Sequence, residues 1–211
     1  MRQVAEKDGF EINGETLQML LFADDVVLVA SKPETLQSLL NEMCHLTKRI
    51  GLKIHPGKTK WMKNAHCDDF EIKLNNQLVE RVEHYVYLGQ AIRMDNDLRL
   101  ELSRRRKAGW TAFSKIDVLL KSKDIPARTK SQLFHSSVLP ALLYGCETWN
   151  LTKAEERCLQ VTQRAMERQM LGISRLEHKK NEEIREISQQ IHEIVNLLYK
   201  GKNRGQGTSP E

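Results

Sequence analysis

Two nearly continuous apolar runs, Leu17-Gln18-Met19-Leu20-Leu21-Phe22-Ala23 and Val26-Val27-Leu28-Val29-Ala30, flank Asp24-Asp25 near the start of the chain. Runs of this length, β-branched on the second side and divided by turn-tolerant Asp, predict a hairpin with both acids at its tip. The apolar character of both arms predicts burial on both faces. Ser31-Lys32-Pro33-Glu34 then has the form of a capping box with Pro in the first turn. Leu36, Leu39, Leu40, Met43, Leu46 and Ile50 follow at spacings of three and four until Gly51, predicting a helix with one core face. The Pro56-Gly57 turn predicts a short strand on either side, the second including Trp61 and Met62. Phe70 to Leu74 and Gln77 to Val79 alternate across Asn75-Asn76, a second hairpin, and His84 to Gly89 reads as an aromatic, β-rich strand.

From Asp97 the period becomes helical. Leu98, Leu102, Ala112, Phe113, Ile116, Leu119 and Leu120 fit one helix face interrupted only by Gly109. A second helix is predicted from about Pro126, carrying Leu133, Phe134 and Val138 and kinked or broken by Pro140. Thr152-Lys153-Ala154-Glu155 forms another capping box, with Cys158, Val161, Ala165, Met166 and Met170 on the expected buried side and Gly172 as the stop. Glu182 to Tyr199 predicts one more amphipathic helix, and Lys200 to Glu211 a disordered tail. The fold class is thus α+β: mostly antiparallel strands with a helix, followed by a helical bundle.

Charge sharpens the division. Across 211 residues the net charge is +5, but residues 1–96 carry 12 Lys+Arg against 14 Asp+Glu while residues 97–211 carry 21 against 14. The basic excess of the second half suits a polyanionic partner, and equally a solvated helical surface. Neither a signal peptide nor a membrane-length apolar run is visible, so the expectation is an intracellular protein, nuclear or cytoplasmic, with no membrane contact. Cys44, Cys67, Cys146 and Cys158 lack C-x-x-C spacing, which argues against a zinc ribbon or a disulfide framework.

Paired acids at the mouth of an apolar hairpin are the donors that oxygen-ligated Mg²⁺ needs for chemistry on phosphates, although two Asp can also serve only to shape a turn. Lys58 and Lys60 follow a turn and either reach phosphates or are exposed strand ends. Arg104-Arg105-Arg106-Lys107 puts four cations on a predicted helix, with Trp110 one turn on. Cations beside an aromatic supply neutralisation and stacking for a nucleic-acid strand.

Phe22-Ala23-Asp24-Asp25 resembles the F/Y-A-D-D box of reverse transcriptases. It is followed in order by Gly51 to Ile54 with Lys58-Thr59-Lys60, then Tyr87-Leu88-Gly89, then Leu139 to Trp149 and Gln163 to Arg168. This series, over residues 17 to 188, is similar to the endonuclease-reverse transcriptases of non-LTR (LINE-type) retrotransposons. The resemblance implies a partial polymerase palm over 1–96, a helical thumb over 97–176, and a C-terminal helix and tail over 177–211. It implies that Asp24 and Asp25 are catalytic Mg²⁺ ligands and that Lys58 lies near the incoming nucleotide's phosphates. Tyr87, Leu88 and Gly89 would grip the primer end, and the thumb would clasp RNA template and RNA/DNA hybrid. The family reaction it implies is RNA-directed DNA synthesis from deoxynucleotides. The palm strand with the other metal-binding aspartate has no counterpart here. The expectations are therefore an incomplete metal site, no polymerase activity from this polypeptide alone, and a poorly protected hairpin. The rival expectation is a non-catalytic nucleic-acid-binding or helical interaction protein derived from a decayed retroelement.

Overall fold

Three hairpin turns in the computed structural model, which describes residues 9–187 and 196–198, have positive φ at both central residues: Asn13-Gly14, Asn75-Asn76 and Leu88-Gly89. That is the type I′ pattern, whose twist matches paired antiparallel strands. The fold is α+β, and the chain divides into two units, Met1–Tyr85 with Arg93–Asp95 and Val86–Ile92 with Asn96–Glu211.

In the first unit, β1 (Phe10–Ile12) pairs with β2 (Glu15–Leu17) across Asn13-Gly14, a hairpin absent from the sequence reading. Strands β3 (Met19–Phe22) and β4 (Asp25–Leu28) form the hairpin expected from the apolar runs, in the register Phe22 opposite Asp25 and Met19 opposite Leu28. Ala23 turns the corner at φ +52°, a left-handed conformation that costs a residue with a Cβ about 1–2 kcal/mol. The expected burial on both faces is not found. Leu21 and Phe22 are 63% and 57% exposed, and Leu20 and Val26 are exposed as well. Side chains project from the two faces of a hairpin, and among the described residues the core of this unit reaches this one through Leu28, at the end away from the turn, so the side chains near the tip stay exposed.

Helix α1 (Pro33–Arg49) follows, but not with the expected capping box. Pro33 restricts the residue before it to extended backbone, so Lys32 (φ −126°, ψ 145°) becomes the N-cap and Ser31 lies one position too early. At the other end Gly51, at φ +77°, closes a Schellman motif: Gly51 N–H donates to Lys48 O and Leu52 N–H to Thr47 O. The buried face of α1, Leu40 and Cys44, packs with Trp61, Ile72, Leu74 and Val79 into the core of this unit. Burial pushes the Cys44 thiol above its usual range. The strand expected before Pro56 does not form. Residues 55–59 instead make a turn in which Lys58 and Thr59 N–H both donate to His55 O, and β5 (Lys60–Trp61) pairs in parallel with β8 (Glu80–Arg81). The expected Asn75-Asn76 hairpin is present as β6 (Lys73–Leu74) and β7 (Gln77–Leu78). The Gln37 amide occupies the open edge of β6, donating to Lys73 O and accepting from Lys73 N–H, both at 2.8 Å.

The second unit begins with the residues around Leu88-Gly89, which join β9 (Tyr85–Tyr87) to β10 (Gln90–Ile92). Helix α2 (Arg99–Lys115) runs through Gly109 without a break. The expected single face does not extend further: α2 ends at Ile116, and Leu119 and Leu120 belong to a separate helix, α3 (Asp117–Lys121). Helix α4 (Ala127–Leu133) passes through a π-helical turn, Phe134–Val138, into α5 (Leu139–Leu143). In that turn Leu139 N–H reaches back to Phe134 O, and the next amide in the same register would be that of Pro140, which has no N–H. The predicted disturbance at Pro140 is therefore absorbed as a widened turn rather than a break.

Helix α6 (Lys153–Leu171) carries the expected Thr152–Glu155 capping box, complete on both sides, and stops at Gly172 with φ +68°. Its buried side differs from the expected one. Leu159, Thr162, Gln163, Met166, Glu167 and Met170 face inward, whereas Val161 is 53% exposed and Cys158 and Ala165 only half-buried. Phe113, Leu120, Phe134, Val138, Leu139, Met166 and Met170 form one core cluster, and Leu102, Leu142, Cys146, Trp149 and Leu159 the centre of a second. Of the expected helix from Glu182 to Tyr199, α7 (Asn181–Ile187) and helical residues 196–198 are described. Its middle, and the expected tail, lie outside the described residues.

Candidate functional site

The β3–β4 turn places Asp24 in the loop and Asp25 at the first position of β4, with both carboxylates exposed. They are hard oxygen donors of the type Mg²⁺ takes. Two-metal phosphoryl chemistry, however, needs more ligands than one acid pair supplies. Among the described residues no group of three or more His, Cys, Asp or Glu side chains could hold a metal ion, so Asp24 and Asp25 do not by themselves complete such a site. Lys58 is exposed in the Pro56–Lys58 turn. Lys60, in contrast, is bonded to Glu80 across the parallel pair. The loop after β5 is held by Asp69, which accepts from Lys63 (2.7 Å) and Arg81 (3.0 Å). The Lys63 hydrogen bond and charge, with the charge of Arg81, hold the Asp69 carboxyl below the usual carboxylate range.

The cationic block on α2 is divided by the fold into distinct tasks. Arg105 turns inward: its side chain is 11% exposed, its Nε donates to buried Glu101 (2.6 Å), it donates to Gly89 O, and its guanidinium lies 4.9 Å over the Tyr144 ring. Arg106 Nε donates to Thr162 Oγ1 on α6 at 2.8 Å. Trp110 is half-buried, packing edge-on against Phe113 at 5.5 Å and lining the first core cluster. Arg104, whose Nε also lies 3.4 Å from the Glu101 carboxylate, and Lys107 line an open cleft of about 760 Å³, together with Arg105, Thr111 and Lys115 from the same helix and Ser137 and Ala141 from the facing one. Positions 104, 107, 111 and 115 form one stripe of a 3.6-residue helix, about 16 Å long at 1.5 Å per residue. The floor is made of small side chains, Ala108, Ala112 and Ala141, which leaves room for a strand to lie along the cations.

Thr111, Lys115 and Ser137 join the site only in the structure. The spacing of the first two after Arg104 and Lys107 was a usable signal. Ser137 had none, because it reaches the cleft through the widened turn before Pro140. Tyr87, Leu88 and Gly89 lie where β9 turns into β10, with Leu88 39% exposed at the tip.

Residues 2–92 match the family model described as reverse transcriptase (RNA-dependent DNA polymerase). A transposon-derived protein of Caenorhabditis elegans is 33% identical over 198 residues, covering 90% of this chain and 71% of that protein. No solved structure matches the chain. No helix among the described residues is long and apolar enough to cross a membrane. The match over residues 2–92 and the similarity to this relative show that the chain belongs to the reverse transcriptase family, in the company of transposon-derived proteins.

Proposed function

We propose that this chain is the C-terminal palm and thumb portion of a non-LTR (LINE-type) retrotransposon reverse transcriptase, retaining a nucleic-acid-binding cleft without a self-sufficient catalytic centre. The family reaction in this reading is two-metal nucleotidyl transfer, in which a primer 3′-hydroxyl attacks the α-phosphate of a deoxynucleotide on an RNA template. Asp24 and Asp25 contribute two metal-ligand carboxylates, and Lys58 a cation for phosphates. The remaining carboxylate must come from residues outside those described. The second unit serves as the thumb, taking an RNA/DNA hybrid along Arg104, Lys107 and Lys115. The observation that carries this reading is the cleft, which combines a cationic stripe with a small-residue floor on one helix face.

The rival, a non-catalytic nucleic-acid-binding protein from a decayed element, rests on the exposed acid pair, which has no third ligand beside it among the described residues. Primer extension separates the two. A polypeptide of these 211 residues is expected to incorporate no deoxynucleotide on a primed RNA template with Mg²⁺. Mg²⁺-dependent extension abolished by Asp24→Asn would show a complete catalytic centre and overturn this part of the reading.

A further inference from the structure

Leu88 sits at φ +48°, a left-handed conformation that costs a residue with a Cβ about 1–2 kcal/mol, at the exposed tip of a two-strand hairpin. A short hairpin of this kind is marginal by itself in water. This one is pinned from behind at three backbone groups. Tyr144 Oη donates to Leu88 O at 2.9 Å. Arg105 donates to Gly89 O. The Glu101 carboxylate, 1% exposed, accepts from Ala91 N–H at 2.7 Å while also holding Arg105 Nε at 2.6 Å. The Tyr144 ring lies under the Arg105 guanidinium and closes over the turn so tightly that a Cβ on Gly89 would stand 3.3 Å from Tyr144 Cε1. Alongside, Gln90 Nε2 donates to Thr148 Oγ1 at 2.7 Å. Two sequence motifs far apart in the chain, Tyr87-Leu88-Gly89 and Leu139 to Trp149, are therefore two halves of one clasp.

The clasp borders the cleft. Arg104, which lines the cleft, also approaches Gly89 O at 3.5 Å, and Arg105 touches both. A buried carboxylate held by a backbone N–H and a guanidinium is an expensive way to support a surface turn unless the turn's position matters. We propose that Glu101, Arg105 and Tyr144 are positioning residues: they hold the strained Leu88-Gly89 turn in place beside the cationic stripe so that the turn meets a nucleic-acid strand lying along Arg104 and Lys107. Arg105 acts through the turn and not on phosphate. This inference rests on the reading of the cleft as a nucleic-acid site.

The test uses the full chain and a fluorescein-labelled RNA/DNA hybrid, titrated at several salt concentrations, for the wild type, Tyr144→Phe, Glu101→Gln and Lys107→Ala. Hydrogen exchange at residues 88–92 is followed in parallel. Tyr144→Phe keeps the ring over Arg105 and removes only the bond to Leu88 O. It is expected to speed exchange in the turn and weaken hybrid binding about three- to tenfold with an unchanged salt slope, since no phosphate contact is lost. Lys107→Ala is expected to weaken binding and also flatten the slope. Should Glu101→Gln not fold, Tyr144→Phe decides alone. Faster exchange with unaltered affinity would overturn the positioning role while leaving the cleft as the binding site, and unaltered exchange would overturn the clasp itself. A wild type that does not bind the hybrid overturns the nucleic-acid reading, and the positioning role with it. A flattened salt slope in Tyr144→Phe would place Arg105 on phosphate, against the proposal.

Discussion

Replacing Glu167 with Ala is expected to cost the second unit about 3–5 kcal/mol, the loss measured when one member of a buried ion pair is removed. Glu167 is 0% exposed on α6, accepting from Arg164 at 2.5 Å and from Gln163 at 2.8 Å. The Arg164 side chain is itself only 10% exposed, so the variant leaves a guanidinium in a dry site without that carboxylate. The midpoint of thermal unfolding should fall by more than about 10 °C, given about 4 °C per kcal/mol for a unit of this size. Val161→Ala, nearly two turns away on the same helix but exposed, should change stability by less than about 0.5 kcal/mol. Replacing Arg164 and Glu167 together by Leu should be milder than Glu167→Ala, because the desolvation of both charges is removed along with their attraction. A loss below about 1 kcal/mol for Glu167→Ala would mean that water reaches the pair.

Gly109→Leu is the second large effect. A Cβ at position 109 would stand 3.1 and 3.2 Å from Leu142 Cδ1 and Cβ and 3.4 Å from Met166 Cε, so α2 passes α5 and α6 with little room for any side chain. Ala at this site gains up to about 1 kcal/mol of helix propensity against a contact tight by a few tenths of an ångström, and the two should nearly cancel. Leu has no such compensation. Forcing its three further carbons into the packed layer is expected to destabilise by about 3 kcal/mol or more, read from the urea midpoint, with Ala as the control. Equal stability of the Leu and Ala variants would show that the helices separate without cost.

The hairpin tip, the α1 stop, the Asn75-Asn76 turn and the Thr152 capping box were legible because each depends on a few adjacent residues whose backbone preferences are strong. Asn13-Gly14 carries the same turn signal, but Phe10-Glu11-Ile12 and Glu15-Thr16-Leu17 on either side are short and mixed in polarity, so no strand pattern accompanies it. α1 starts one residue later than its capping pattern suggests because Pro33 acts on its predecessor as well as on itself. On α6 sequence and structure differ more. The expected buried face took the apolar residues Cys158 and Val161, while the fold buries Thr162, Gln163 and Glu167 among Leu159, Met166 and Met170. A polar stripe can face inward when its members satisfy one another and their neighbours on α2 and α6, and a count of apolar positions does not register that. The site shows the same limit. Four consecutive cations have equal standing in sequence, yet helical geometry sends neighbours about 100° apart, so Arg105 is drawn inward onto Glu101, exposed Arg106 ties α2 to α6 through Thr162, and Arg104 and Lys107 share a stripe with Lys115.

Salt dependence of hybrid binding tests the central claim most directly. If Arg104, Lys107 and Lys115 each neutralise a phosphate, a plot of log K against log salt concentration for an RNA/DNA hybrid should fall with a slope of about −2 to −3 for these contacts alone. Replacing all three with Ala should remove most of that slope, with a small fall in the unfolding midpoint that comes from Arg104, whose Nε lies 3.4 Å from buried Glu101. Binding that ignores salt, or a triple variant with the wild-type slope, would contradict the account.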